Sequence, residues 1–399
     1  MVMMMIKKMI HTSKIKLLGT IFISLVIYFC LISLDWLAKV YLNTNKLKPN
    51  LEAELIEKKH SKTIAAKTKK KRDQGYKPMF RPIFFSKTSE YNSLYKKYAT
   101  LPFGVKPNTK YYNCDEGYGL TTFESDKYGF WNPNKVYDKK IDIMIIGDSI
   151  SANGCLQEEK SFIGMLRKDY NVMNLSIGSN DPIHYASLAQ TFIPHFNPKI
   201  VLVIFNRGDF IDHYSQKIHV YEEVFFKQKI PYFKIKRKDS YYPEGYQNNL
   251  IKLLDDAQLL TEENIGNFDN LNPLQKPTIL KRVLLVLSSH YNLTYLKNIL
   301  FNQGYLPYGN ELALKSLSEN CKKNNCIGLY AFIPGSNYWR PDSRQNNYIK
   351  LLNKANKKFQ DLNFINFAQN LDRSDIKFYS PKGNHLSVLG NKIIYSELI

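Results

Sequence analysis

Short apolar segments recur in the second half of the chain and are bounded by charged residues, turn formers or glycine. The stretches 140–146 and 199–205 each contain an apolar run rich in β-branched residues, and 171–176 is a shorter, partly apolar segment. Such runs are typical of strands buried on both faces of a parallel sheet. Segments 158–169 and 182–196 lie between them and have the apolar spacing of helices. This alternation predicts an α/β fold with helices covering both faces of a parallel sheet.

The region at about 214–315 interrupts that alternation. Its segment 278–300 has helical apolar spacing, which predicts an inserted helical cap over the site. The basic, aromatic stretch 224–238 is of a kind that binds acidic glycans, although a solvated helical face explains it more simply. The alternation then resumes, with predicted strands at 327–334 and 364–367 and predicted helices at 346–361 and 387–398.

The N-terminal region has the pattern of a membrane anchor. Leu17–Leu34 carries no charge, is bounded by Lys16 and Asp35, and follows a lysine-rich flank. This length is sufficient to cross a bilayer core, and the basic flank is typical of the cytoplasmic side. No small-x-small pair marks a cleavage site. We therefore predict an uncleaved anchor within residues 1–38, with the bulk of the chain outside the cytoplasm.

The amino-acid composition changes along the rest of the chain and divides it into three segments. Residues 39–80 form a basic linker whose block 58–72 is almost free of apolar residues and is expected to stay solvated. Residues 81–139 are rich in aromatics, glycines and turn formers, which predicts short strands and turns. We call this segment the lead-in. The α/β domain is predicted to occupy 140–399.

The composition bears on the class of partner. With 44% hydrophobic and 14% aromatic residues in 399, the chain is not disordered. Its net charge of +21 raises the question of nucleic-acid binding. The lysines are spread over the whole sequence and form no single stripe, so we predict no nucleic-acid partner.

Five cysteines bear on compartment and metal binding. Cys30 lies in the predicted anchor, and the other four allow three pairings. We favour Cys114 with Cys155 and Cys321 with Cys326; buried free thiols are the alternative. No second Cys or His pair stands near Cys321 and Cys326, so we predict no zinc site.

Three motifs occur in a fixed order in the α/β domain. Gly147-Asp148-Ser149 follows the first apolar run, Asn174-Leu175-Ser176-Ile177-Gly178 follows the second, and His385-Leu386-Ser387 precedes the last helix. This set resembles the SGNH (GDSL-type) hydrolase superfamily from about Tyr112 to the C-terminus. The resemblance implies a flavodoxin-like three-layer α/β/α fold with a central parallel sheet, with the helical insertion and an N-terminal transmembrane helix added to it.

The lead-in carries a resemblance of its own. Its Ser-Asp-x-x-Gly-Phe-x-Asn-Pro sequence at 125–133 is similar to the segment that precedes the catalytic strand in membrane-anchored bacterial members of the superfamily. In those proteins it packs against the catalytic domain, so the resemblance implies a structural role without catalytic residues.

The resemblance also implies the roles of individual residues. Ser149 is expected to act as the nucleophile, with its own backbone N–H as an oxyanion donor. Gly178 is expected to supply a second N–H, and His385 to act as general base. The third-block asparagine of the family has no clear counterpart in Phe205-Asn206-Arg207-Gly208-Asp209-Phe210. Asn206, Asn180 and the positive charge of Arg207 are the candidates to replace it.

The acid that orients the histidine also departs from the family pattern. The family places it three residues before the histidine, where this chain has Lys382. Two arrangements remain open: Asp375 folds back onto His385, or a backbone carbonyl orients the ring in a Ser–His dyad.

These motifs predict a serine esterase or O-acyltransferase of the SGNH type that needs neither metal nor cofactor. Its expected substrates are esters, such as O-acetyl groups of an envelope or exported glycan. The expected location is the bacterial inner membrane, crossed once, with the catalytic domain periplasmic or extracellular. The main alternative is a catalytically degenerate glycan-binding or scaffold protein, because Lys382 occupies the position of the acid. A lipase-like cap facing the bilayer is a third, weaker hypothesis.

Overall fold

The computed structural model describes residues 64–210, 220–229, 246–270, 306–335, 345–369 and 376–399. The described residues from 66 onward belong to one compact unit. Within these ranges, no helix combines the length and apolar character needed to cross a bilayer. The predicted anchor, most of the linker, the predicted helix at 278–300 and Asp375 lie outside the described residues.

The strands and helices are numbered in chain order. The strands are β1 (Lys77–Pro78), β2 (Lys110–Tyr112), β3 (Thr122–Glu124), β4 (Ile143–Ile146), β5 (Val172–Asn174), β6 (Ile200–Phe205), β7 (Ile327–Phe332) and β8 (Leu362–Asn366). The helices are α1 (64–73), α2 (Phe84–Lys87), α3 (Ser89–Tyr98), α4 (Phe162–Leu166), α5 (Pro182–Phe196), α6 (Val220–Glu222), α7 (Tyr246–Asn270), α8 (Tyr308–Asn324), α9 (Gln345–Lys358) and α10 (Val388–Leu398).

The main sheet contains β4 to β8 in the spatial order β5-β4-β6-β7-β8, and every neighbouring pair is parallel. Within the domain this is the order 2-1-3-4-5 of flavodoxin-like sheets, whose ligand crevice lies outside the carboxyl ends of the strands. The predicted α/β fold with a parallel sheet is confirmed.

Two apolar clusters cover the two faces of this sheet. Alternate residues of each strand point to opposite faces, so Met144 and Ile146 lie in one cluster and Ile145 lies in the other. The first cluster includes buried residues of α5, α8 and α9, and the second those of α4 and α10. The sheet is therefore the middle of three layers.

Several helices begin directly after a residue whose side chain caps the first turn. Asp181 caps α5 by accepting hydrogen bonds from the N–H groups of Ile183 and His184, and Pro182 occupies the first turn. The predicted helix 158–169 is shorter than expected because Ser161 caps a new start, and residues 158–160 form a separate 3₁₀ turn. Ser387 caps α10.

The described part of the insertion packs on the lead-in. In α7, Thr261 Oγ1 is 2.6 Å from the Tyr91 hydroxyl, and Gln258 donates to the carbonyl of Pro78 at 3.0 Å. Helix α8 belongs to the same layer as α5, because the Ser316 hydroxyl in α8 donates to the carbonyl of Ala186 in α5 at 2.8 Å. Helix α7 thus packs against the lead-in and, at Pro78, against the end of the linker; the segment predicted to form the cap, 278–300, lies outside the described residues.

Asp126 explains the Ser-Asp-x-x-Gly-Phe-x-Asn-Pro sequence of the lead-in. Its buried carboxylate accepts hydrogen bonds from the N–H groups of Tyr128 and Phe130, from the Asn132 amide at 2.8 Å and from the Tyr137 hydroxyl. Burial raises the pKa of Asp126, and these hydrogen bonds oppose that rise.

Asn132 then connects the lead-in to the main sheet. Its amide donates to the carbonyl of Asn174 in β5 at 3.0 Å and accepts from the Asn174 N–H at 2.8 Å. Gly129 has a φ of +83°, and a Cβ there would lie 2.0 Å from the carbonyl oxygen of Val105, so only glycine fits this turn. The motif thus fixes the lead-in against the sheet.

Replacing Asp126 with alanine tests this role. Several buried donors would lose their acceptor, so we expect Asp126→Ala to lower the free energy of unfolding by about 3 kcal/mol or more. Urea unfolding measures the loss. The control is Glu124→Ala at an exposed position nearby, where about 0.5 kcal/mol or less is expected. Equal effects of the two substitutions would contradict the account.

Candidate active site

The three predicted motifs meet in one pocket beyond the carboxyl ends of β4 and β5. Ser149, Gly178 and His385 line it together, and its volume is about 130 Å³. The lead-in also lines the pocket and contributes Arg81 and Glu116 among others. The lead-in packs against the sheet, as the resemblance implies, because Asn132 bonds to Asn174 of β5, and it also lines the pocket.

The turn after β4 presents Ser149 to the pocket. The Ile150 N–H donates to the Asp148 carboxylate at 2.9 Å, and the Ala152 N–H donates to the Asp148 carbonyl at 2.8 Å. The Gly154 N–H donates to the Ser149 carbonyl at 2.8 Å. The backbone thus coils tightly after the strand and leaves the serine side chain half-buried at its edge.

Glu116, which the sequence analysis did not single out, supplies the carboxylate that contacts His385. Its Oε1 lies 2.8 Å from His385 Nδ1, with the two side chains only 14% and 22% exposed. Its other carboxylate oxygen accepts from the Ser380 hydroxyl and, at 3.3 Å, from the His385 N–H. A carboxylate on Nδ1 fixes the ring orientation and leaves Nε2 available for proton transfer.

The Glu116 carboxylate is strongly stabilised in its ionised form. Burial by itself would raise its pKa, but the hydrogen bonds from His385 and Ser380 and the charge of the imidazole outweigh burial. Together they lower the pKa of Glu116 to about 2. The group therefore remains ionised at any pH at which the protein is expected to work.

The loop before His385 is shaped around this carboxylate. A Cβ at Gly383 would lie 1.8 Å from Glu116 Cδ, which no packing allows without displacing the glutamate. The Lys382 N–H donates to the backbone carbonyl of Glu116 at 3.1 Å. Lys382 stands at the position where the superfamily has its acid, and its backbone N–H holds the Glu116 segment against this loop.

A disulfide ties the Glu116 segment to the serine loop. Cys114 is bonded to Cys155, and the Asn113 amide donates to the carbonyl of Gly154 at 3.2 Å. Cys155 Sγ also lies 3.7 Å from His385 Nδ1. The Cys321–Cys326 disulfide is present at the end of α8 as well, so both favoured pairings are confirmed. The first pairing was the one signal in the sequence that could have indicated Glu116.

Gly178 lies beside the nucleophile, as expected. A Cβ built on Gly178 would be 3.5 Å from Ser149 Cβ and 4.0 Å from Arg81 Nε. The Gly178 N–H has no acceptor among the described residues and lies in the turn that follows β5. It is therefore free to donate to a bound group.

The other predicted residues do not line the pocket. Asn180 and Asn206 are buried, with 4% and 6% exposure; Asn206 Oδ1 accepts from the Gly208 N–H at 2.6 Å. Arg207 is exposed. Asp375 lies outside the described residues. The loop after β6 folds back on itself, because Asp209 accepts from the Asn206 N–H at 2.7 Å.

One grouping in the described chain resembles a metal site. Ligand atoms of Glu116, Cys155 and His385 lie within 4.8 Å of one another. Cys155 is committed to a disulfide and offers no thiolate, while Glu116 and His385 already bond to each other. This donor set does not fit a metal.

Comparisons with known proteins give structural similarity only. The sequence matches none of the protein-family models and none of the curated proteins with which it was compared. Solved structures similar to this chain include a protein assigned to the G-D-S-L lipolytic family from Desulfitobacterium hafniense, with 13% identity, coverage of 65% of this chain and 97% of that one, and a TM-score of 0.32.

Two further similar structures are esterases. The psychrotrophic esterase EstA from Pseudoalteromonas sp. shows 11% identity, coverage of 64% and 93%, and a TM-score of 0.31. A family 3 carbohydrate esterase from Clostridium thermocellum shows 13% identity, coverage of 65% and 92%, and a TM-score of 0.31. We base the function on the geometry of the site itself.

The lowered pKa of Glu116 predicts a pH-dependent contribution to stability. Because its folded-state pKa lies near 2 and its ordinary value is 4.5, the ionised carboxylate favours the folded state above pH 4.5, and this advantage is lost as the pH falls toward 2. We therefore expect wild type to be more stable than Glu116→Gln at pH 7, with a difference that shrinks on acidification. Urea unfolding at several pH values measures it. A difference that stays constant between pH 7 and pH 3 would contradict the assignment.

Proposed function

We propose that this protein is a serine hydrolase or acyltransferase that acts on esters through an acyl-serine intermediate. Ser149 is the nucleophile, His385 the general base and Glu116 the acid that orients it. The observation that carries the proposal is the hydrogen bond of 2.8 Å between Glu116 and His385 in a pocket that also contains Ser149.

The reaction follows from these positions. Ser149 Oγ attacks the ester carbonyl carbon while its proton passes to His385 Nε2, and the carbonyl π electrons move to oxygen as an oxyanion. When the oxyanion collapses, the ester C–O bond breaks and the leaving alcohol takes the proton from His385. Water, or a second hydroxyl in an acyl transfer, then attacks the acyl carbonyl carbon while its proton passes to His385. When this second intermediate collapses, the bond between the acyl carbon and Ser149 Oγ breaks, and Oγ takes the proton from His385.

The resting geometry needs one adjustment. Among the described residues no hydrogen bond joins the Ser149 hydroxyl to His385. Catalytic hydrogen bonds are often long in structures without substrate and tighten in the complex. The Glu116 bond fixes the imidazole, so rotation of the serine side chain is the adjustment we propose.

The size of the pocket suits a small acyl group, and part of its wall is aromatic. Its volume of about 130 Å³ is well below the several hundred Å³ of ordinary ligand pockets. Phe123 and Trp131, which both line it, are stacked with ring centroids 4.6 Å apart. Aromatic walls of this kind suit sugar rings, so we propose an O-acetylated glycan as the substrate class.

We also propose that the enzyme works outside the cytoplasm, tethered by the predicted anchor at 17–34. Two disulfides support this, because such bonds persist in oxidising compartments. A degenerate, non-catalytic binding protein is the second candidate. The absence of a Ser149–His385 hydrogen bond in the described chain favours it, whereas Glu116 removes the reason that Lys382 gave for it.

Turnover of p-nitrophenyl acetate by the purified full-length protein tests the proposal. We expect Ser149→Ala to abolish turnover. We expect Glu116→Gln to lower kcat by about two to four orders of magnitude, because the imidazole loses the group that orients it. Gly383→Ala should mimic Glu116→Gln, since its Cβ displaces the same carboxylate.

Glu124→Gln is the matched control, since it removes a carboxylate from an exposed position of the same segment. It should leave kcat unchanged. Wild-type protein without turnover, or turnover that persists in Ser149→Ala, would remove the enzymatic proposal and leave the binding protein.

The small pocket predicts a preference for short acyl chains. We expect kcat/KM to be highest for p-nitrophenyl acetate and to fall steeply from butyrate to octanoate, because the longer chains exceed the space beside Ser149. A comparison of these three esters measures the preference. A higher kcat/KM for octanoate than for acetate would contradict the assignment of a short acyl group.

A further inference from the structure

Arg81 is a charged residue in the pocket for which the triad gives no role. It lines the same pocket as Ser149 and Gly178, although it lies at the start of the lead-in, far ahead of both in the sequence. Within the described chain its guanidinium has one side-chain partner, the Ser179 hydroxyl, to which Nη1 donates at 2.6 Å. No carboxylate is paired with it there.

An arginine in this state is unusual because even a partly buried charge is costly without a counter-charge. Burial lowers the pKa of Arg81, yet a guanidinium stays protonated in proteins. It carries five N–H donors in a planar fork, and Ser179 uses only one of them. The remaining donors and the positive charge are available to an anion in the pocket.

The backbone holds Arg81 in place. The residue stands between Phe80 and Pro82, both buried, and the Phe84 N–H donates to the Arg81 carbonyl at 2.9 Å. Phe80 is completely inaccessible to solvent. The side chain therefore extends from a fixed turn, as a preorganised donor should.

Its position relative to the nucleophile limits which anion it serves. Ser149 Cβ and Arg81 Nε lie 3.5 and 4.0 Å from the same point, the place where a Cβ of Gly178 would be. The arginine thus lies beside both Gly178 and Ser149, so an oxyanion that forms next to Ser149 would be close to its guanidinium. His385 and Glu116 come from different segments, the loop before α10 and the loop after β2.

We propose that Arg81 is a catalytic residue that donates to the oxyanion of the tetrahedral intermediate, together with the Gly178 N–H. This inference rests on the proposed function. The guanidinium forms no covalent bond; it stabilises the negative charge that appears when the carbonyl π electrons move to oxygen and disappears when the intermediate collapses. It supplies the donation that the side chains of Asn180, Asn206 and Arg207 were predicted to give.

Steady-state kinetics with p-nitrophenyl acetate test the role, because this substrate carries no anionic group. Loss of an oxyanion donor typically lowers kcat by about 10²–10³, so we expect that loss in Arg81→Met with little change in KM. Arg81→Lys keeps the charge but not the fork, and should retain an intermediate kcat. Arg207→Met removes an exposed arginine outside the pocket and should leave kcat unchanged.

Inhibition by a boronic acid gives a second readout. Ser149 Oγ adds to boron, its proton passes to His385, and a tetrahedral boronate with one negative charge results. We expect Arg81→Met to weaken this inhibition at least about tenfold, with Arg207→Met as the unchanged control. Near-UV circular dichroism shows whether each variant is folded, and Arg81→Lys decides the matter if Arg81→Met is not.

The outcomes separate this inference from the proposed function. If wild type turns over the ester in a Ser149-dependent manner but Arg81→Met or a folded Arg81→Lys keeps full kcat and boronate affinity, the function stands and the oxyanion role is overturned. A rise in KM with unchanged kcat also overturns it, because Arg81 would then bind the ground state. If wild type shows no Ser149-dependent turnover, both proposals fall.

Discussion

The hydrogen bond between Glu116 and His385 joins two segments that are 269 residues apart in the chain. It forms because the lead-in packs against the main sheet, and buried polar contacts hold the lead-in there. Asp126 shapes the lead-in turn, Asn132 attaches it to β5, and the Cys114–Cys155 disulfide fixes the Glu116 segment to the serine loop. The lead-in is thus a part of the site, and the α/β domain alone contains neither Glu116 nor Arg81.

Glu116 and Arg81 place opposite charges at two different parts of the site around Ser149. Glu116 places a negative charge behind the imidazole, where it favours a transient imidazolium. Arg81 places a positive charge beside Gly178, where an oxyanion would develop. Both charged groups belong to the lead-in, while Ser149 and His385, the proposed nucleophile and base, belong to the α/β domain. Charges held in a partly buried site act more strongly than in water, because the local dielectric is lower and little reorganisation is needed.

Much of the fold could be predicted from hydrophobic periodicity, because buried parallel strands are apolar on both faces and α5 carries its own capping residues. The observed α5 has the predicted bounds. The meeting of the Ser149, Gly178 and His385 segments was implied by the resemblance to the SGNH superfamily, and the position of Ser149 at the carboxyl end of a strand supported it. The local sequence pattern does not predict contacts that form only through tertiary folding. Glu116 and Arg81 lie in turns with no periodicity, and neither has a spacing that relates it to His385 or Ser149.

The third-block residues illustrate the opposite error. Asn206 and Arg207 have suitable chemistry and follow β6, but the Asp209 carboxylate binds the Asn206 N–H and folds the loop onto itself. Their position in the sequence suggested that they reach the site, but neither residue lines the pocket. A disulfide between Cys114 and Cys155, favoured from the sequence, already implied that residue 116 lies near the serine loop.

The state of the His385 ring tests the account most directly. In full-length protein with ¹⁵N-labelled histidine, NMR at neutral pH should show His385 as the Nδ1–H tautomer, its proton protected from exchange by Glu116, and Glu116→Gln should lose that protection. A His385 ring found as the Nε2–H tautomer, or unaffected by Glu116→Gln, would contradict the claim that the lead-in supplies the acid.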